Sequence, residues 1–75
     1  MLLPDKLITY SESVLAKLPI LLDALQCEPL SIKDLYLVVQ EQMNGVPEFL
    51  NALDCLYALQ KVIYDHDSGV LKYVD

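Results

Sequence analysis

The sequence contains no arginine and no tryptophan, and its 75 residues include only two glycines, two cysteines and one histidine. Two glycines are too few for a loop that cradles nucleotide phosphates. Cys27 and Cys55 match neither a CxxC pair nor a zinc-ligand spacing, so we expect two reduced core thiols. His66 is accompanied by no catalytic motif. We therefore expect no enzyme activity, no cofactor and no metal site.

Positive charge is also scarce, because five lysines oppose eleven acidic residues and the net charge is −6. Nucleic-acid binding depends on cationic side chains that displace counterions from phosphates, so direct binding by this chain is disfavoured. No apolar run approaches the roughly 20 residues that cross a bilayer. The start, Met1 to Asp5, does not match a secretory signal. We expect a cytoplasmic protein without membrane contact.

Apolar residues, in contrast, make up 55% of the chain, against about 45 to 50% in typical soluble domains. So short a chain buries only roughly 60 to 65% of its unfolded surface, and part of the excess should face a partner. We expect one domain, residues 1–75, with an extended arm over residues 1–10. The expected partner-binding residues are Leu2, Leu3, Leu7, Ile8, Tyr10, Tyr36, Tyr64 and Tyr73. Alternatively, the tyrosines only border the core.

Helix patterns occupy the middle of the chain. The first helix is expected to begin at Ser11, and Pro19 should kink it or divide it in two. The second is predicted by a capping pair, Ser31 and Asp34, and should stop at Asn44-Gly45. The third is expected over about residues 47–61. Its buried stripe is Phe49, Leu53 and Leu56, which Leu50 and Tyr57 widen.

The final segment predicts a β-hairpin, with strands over residues 62–64 and 70–74 and a polar turn between them. Helices followed by such a hairpin indicate a mainly α fold with a C-terminal β-hairpin, a winged-helix-like three-helix domain. The convergent apolar faces predict a core of Leu21, Leu25, Leu35, Val38, Leu53, Leu56 and Leu71.

Three segments carry a resemblance to a known family: LLPDK at residues 2–6, SIKDLY at 31–36 and FLNALDCLYAL at 49–59. Together they resemble the small middle component of bacterial ABC three-component systems, and the resemblance covers nearly the whole chain. Gln60 and Lys61 depart from the pattern, since a small residue, often glycine, is expected after the helix.

The resemblance implies a subunit that acts between an SMC- or Rad50-like ABC ATPase and an effector. Systems of this kind are associated with defence against phage and plasmids, and include those called Lamassu. The chain would be a non-catalytic adaptor within a hetero-oligomer, and the ATPase and the effector would be its partners.

A second hypothesis belongs to a different class of protein. In a DNA-binding winged-helix regulator or antitoxin, the helix over residues 47–61 would enter the major groove. Its expected exposed face offers Asn51, Asp54, Gln60 and Lys61, which read DNA poorly.

Overall fold

The computed structural model describes residues 12–74, which form helices followed by one hairpin. The elements are α1 (Glu12–Ala16), α2 (Leu18–Cys27), α3 (Ile32–Val39), a 3₁₀ turn (Gln40–Gln42), α4 (Val46–Ala58), β1 (Val62–Asp65) and β2 (Val70–Tyr73). The predicted fold class is confirmed, because the protein is mainly helical and ends in an antiparallel hairpin. No helix among these residues is long and apolar enough to cross a membrane.

The first helical region is divided in two, as its proline predicts. The amide of Lys17 donates to the carbonyl of Val14 at 3.0 Å, which closes the last turn of α1. Pro19 then lies in the first turn of α2, where its missing N–H costs no helical hydrogen bond. The break therefore falls just before the proline.

The α3 helix begins directly after the predicted cap, and α4 begins at Val46, one residue before its predicted start. The end of α3 at Val39 is earlier than the predicted stop at Asn44-Gly45, because a 3₁₀ turn replaces its last residues. The Ser31 hydroxyl accepts a hydrogen bond from the Asp34 amide at 3.0 Å, so it caps α3. Gly45 has a φ of +91°, a backbone conformation that favours glycine. It separates the 3₁₀ turn from α4, whose first turn contains Pro47.

The end of α4 lies at Ala58, earlier than the sequence predicted. The amide of Gln60 donates to Tyr57 and that of Lys61 to Leu56, both at 3.0 Å. This is a Schellman motif, and its left-handed position is normally glycine. Here Gln60 occupies it with a φ of +60°. The expected small residue is thus absent, but the turn is formed.

The hairpin is joined to the helical part of the fold by a single bridge residue. In its register Val62 pairs with Tyr73 and Asp65 with Val70. On the other side of β2, Leu30 forms an isolated antiparallel bridge with Leu71. A strand residue between the first and second helical regions, paired with the last strand, is compatible with the winged-helix arrangement.

The core lies between α2, α3, α4 and the base of the hairpin. Six predicted core residues are buried: Leu21, Leu25, Leu35, Leu53, Leu56 and Leu71. The prediction for Val38 is wrong, because its side chain is 60% exposed while Val39 is 1% exposed. Val39 lies one helical turn after Leu35 and shares its face, whereas Val38 points to the side. Cys55 is buried as expected, but Cys27 is exposed.

Candidate partner-binding surface

One side of α4 exposes a row of apolar residues. Val46, Leu50 and Tyr57 are separated by four and seven residues, so they lie on one side of the helix. Their exposed fractions are 47%, 49% and 37%. The periodicity assigns Leu50 and Tyr57 to the edge of the buried stripe. A wide stripe does not reveal which edge a neighbouring element covers, so the sequence did not predict this surface.

The wing extends this row at its C-terminal end. Tyr64 of β1 is also exposed, and its ring meets His66 edge-on at 4.9 Å between centroids. Burial raises the pKa of the Tyr57 hydroxyl, and the nearby Tyr64 hydroxyl raises it further. The two hydroxyl groups therefore lie within range of an electrostatic interaction. We call Val46, Leu50, Tyr57 and Tyr64 the α4–wing surface.

The residues that define the α4–wing surface include no cationic side chain. The α4 helix contains no lysine, and it contributes Glu48 and Asp54 instead. Two of the four lysines within residues 12–74 are held in ion pairs, Lys72 with Asp65 at 2.9 Å and Lys17 with Glu48 at 4.0 Å. A duplex interface typically neutralises several phosphates. The α4–wing surface has the composition of a protein contact, in which exposed aromatic and aliphatic side chains supply the binding energy.

Glu48 positions the start of α4. Its carboxylate accepts from the backbone amide of Asn44 at 3.1 Å and from the Asn44 side-chain amide at 3.2 Å. The hydrogen bond from the Asn44 backbone is the main reason that the pKa of Glu48 is lowered, and Ser13 and Lys17 lower it further against the effect of burial. Glu48 thus ties α4 to both the preceding turn and α1.

Asp65 organises the turn of the wing. Its carboxylate accepts from the Asp67 amide at 2.9 Å and from the Ser68 amide at 3.4 Å. The ammonium of Lys72 is the largest cause of a pKa lowered to about 2, and the turn amides add to it. Within residues 12–74, no group of three or more His, Cys, Asp or Glu side chains is placed to hold a metal ion. We assign Asp65 a structural role.

The predicted partner-binding tyrosines fall in different environments. Tyr36 is half-buried and meets Phe49 edge-on, with ring centroids 5.0 Å apart. Tyr73 is also half-buried and packs against the core. Only Tyr64 of these three belongs to the α4–wing surface. The remaining predicted contacts lie outside the described residues: Leu2, Leu3, Leu7, Ile8 and Tyr10.

Comparison with known proteins identifies a family. No curated protein and no solved structure matches the chain. A family model described as "ABC-three component (ABC-3C) system Middle Component 7" matches residues 3–71. This range includes helices α1 to α4, the bridge at Leu30 and the start of β2. The chain therefore belongs to the Middle Component 7 family of ABC-three component systems.

Proposed function

We propose that this chain is a non-catalytic adaptor that links an SMC- or Rad50-like ABC ATPase to the effector of its own system. Membership of the middle-component family supports partners within a multi-component system. The adaptor role, the class of the ATPase and the contact with an effector go beyond family membership and form the proposal. We further propose that the complex is cytoplasmic and serves in Lamassu-like defence against phage or plasmids.

The α4–wing surface is the observation that carries this proposal. A DNA-reading winged helix presents cationic and polar groups on the corresponding helix. Here the helix presents Val46, Leu50 and Tyr57, each more than a third exposed. Burying such side chains against a partner contributes roughly 25 cal/mol for each Å² of apolar area removed from water. The surface is therefore suited to stable assembly with a protein.

Co-expression with the other components of the system tests the proposal. The chain should co-purify with the ATPase or the effector in size-exclusion chromatography. Leu50→Asp should abolish this association, because it places a charge in the centre of the α4–wing surface. Leu37→Asp is the matched control, since Leu37 is 51% exposed on α3 and Leu50 is 49% exposed on α4. The control should assemble as the unmodified chain does.

A chain that co-purifies with neither component would contradict the adaptor proposal. If Leu50→Asp and Leu37→Asp assemble equally well, the contact does not involve this side of α4. A truncated chain lacking residues 2–8 tests the predicted arm. Within residues 12–74 the buried cluster extends from Val14 to Leu71, and we expect the truncated chain to keep its helical circular dichroism while binding its partner more weakly. If it unfolds, the arm belongs to the core.

A further inference from the structure

A second apolar feature lies apart from the α4–wing surface, in a groove between α2 and α3. It is open to solvent and continues onto the 3₁₀ turn. We call it the α2–α3 groove, and it is lined by Ile20, Asp23, Ala24, Cys27, Val38, Val39 and Gln42. The exposed position of Val38, which the sequence did not predict, places this side chain at the groove.

The charge of the α2–α3 groove is negative. Asp23 lines it, and no lysine does. Within residues 12–74 no lysine pairs with Asp23. The last turn of α2 contains no basic residue, although the C-terminal end of a helix dipole attracts cations. Glu28 follows α2 directly, and Glu41 lies in the 3₁₀ turn beside Gln42. The lining of the groove is thus mainly apolar, and Asp23 is the charged residue within it.

We propose that the α2–α3 groove binds a basic amphipathic helix from another component of the system. This inference rests on the proposed function and adds a second contact, between the acidic groove and a basic helix. Apolar side chains at helical spacing would contact Ile20, Ala24 and Val38. A lysine or arginine of the partner would pair with Asp23. A helix fits better than a strand, because the groove lies between two helices and offers no strand edge for backbone pairing.

Cys27 supplies a direct test, because it lies in the groove and is exposed while Cys55 is buried. A maleimide should therefore react selectively with Cys27 in the free chain. In the complex purified after co-expression, labelling of Cys27 should slow by roughly tenfold or more, since a buried interface excludes reagent as it excludes water. A labelling rate equal to that of the free chain would overturn the inference.

Two pairs of variants separate charge from apolar contact. Asp23→Lys should weaken association roughly tenfold, because two like charges would then face each other. Asp67→Lys makes the same change of charge in the exposed wing turn and should have no effect. Val38→Lys should weaken association, whereas Leu37→Lys, on the neighbouring exposed residue, should not. If Leu50→Asp disrupts assembly while both groove variants assemble normally, the adaptor proposal stands and this inference falls.

The identity of the occupant is tested by a photo-crosslinker attached to Cys27. Mass spectrometry of the crosslinked complex should recover a partner peptide with apolar residues at helical spacing and at least one lysine or arginine. An acidic peptide would overturn the inference. So would protection of Cys27 in the isolated chain that increases with concentration, which would identify a second copy. Faster labelling after removal of residues 2–8 would instead identify the chain's own N-terminal segment and would also overturn it.

Discussion

Val38 and Val39 are adjacent in α3 and both line the α2–α3 groove, but Val38 is 60% exposed whereas Val39 is 1% exposed and belongs to the core. Val39→Ala should therefore lower the free energy of unfolding by about 2 kcal/mol, the cost of two lost methyl groups and a small cavity. Val38→Ala should change it by less than about 0.5 kcal/mol. Urea unfolding followed by circular dichroism measures both. Equal effects would contradict the orientation of α3.

Gln60→Gly should stabilise the protein. Gln60 holds a left-handed conformation at the end of α4, with a φ of +60°. That conformation costs an ordinary residue roughly 1 kcal/mol, and glycine escapes most of this cost while losing more backbone entropy on folding. We expect a net gain of about 0.5 kcal/mol, seen as a higher melting temperature. Gln26→Gly, inside α2, should lower the melting temperature by a comparable amount. A lower melting temperature for Gln60→Gly would contradict the Schellman motif.

The ion pair between Lys72 and Asp65 should be visible in the titration of the wing. The pKa of Asp65 is lowered to about 2 from an ordinary 3.8, and Lys72 is the largest cause. In Lys72→Met, carboxyl NMR should show the Asp65 pKa rising towards 3.8. Asp67→Asn is the control, because Asp67 contributes its backbone amide and not its side chain. If the pKa of Asp65 is unchanged in Lys72→Met, the ion pair does not form in solution.

Stability should fall in acid partly through Glu48. Its pKa is lower in the folded protein than its ordinary value of 4.5, so the unfolded chain binds the proton more tightly. The contribution is therefore complete above pH 4.5 and is lost as the pH falls through the folded-state pKa. Glu48→Gln should reduce the decline of the unfolding free energy below pH 4.5. Glu41→Gln, an exposed change in the 3₁₀ turn, should leave that decline as it is. Identical pH profiles for Glu48→Gln and the unmodified chain would contradict this role.

The isolated chain should not bind duplex DNA with useful affinity. Lys33 and Lys61 are the lysines of residues 12–74 that form no ion pair there, and two cations release few counterions. Fluorescence anisotropy at physiological salt should give a dissociation constant weaker than about 10⁻⁴ M, the weak limit of non-specific binding. Tight binding that Lys61→Gln abolishes would favour the regulator hypothesis.

Local chemistry made much of the fold predictable from sequence. The cap at Ser31 and the break before Pro19 each depend on the residue at that position and its immediate neighbours. The same holds for the hairpin, whose strand-favouring residues flank a polar turn. Long-range packing was harder to predict. The single-residue strand at Leu30 has no pattern of its own, because its partner lies in β2.

The candidate surfaces were predictable only in part. Composition indicated that apolar residues exceed what a small core covers, and Tyr64 was among the expected contacts. It did not identify Leu50 or Val38, because an apolar residue beside a buried stripe is covered or exposed according to the neighbouring element. The expectation of a buried Cys27 was wrong for the same reason. The scarcity of positive charge is evident without tertiary structure, since it follows from the absence of arginine and the small number of lysines.

The bridge between Leu30 and Leu71 has a mechanical consequence for the proposed adaptor. The two residues exchange backbone hydrogen bonds of 3.2 and 2.7 Å, and Leu71 is also fully buried. A force applied to the wing at Tyr64 would therefore act on the loop between α2 and α3 through these two hydrogen bonds. The bridge thus connects the wing, which carries Tyr64 of the α4–wing surface, to the loop that follows the α2 side of the groove. If the proposed partners occupy these two surfaces, a movement of one would act on the other through this bridge.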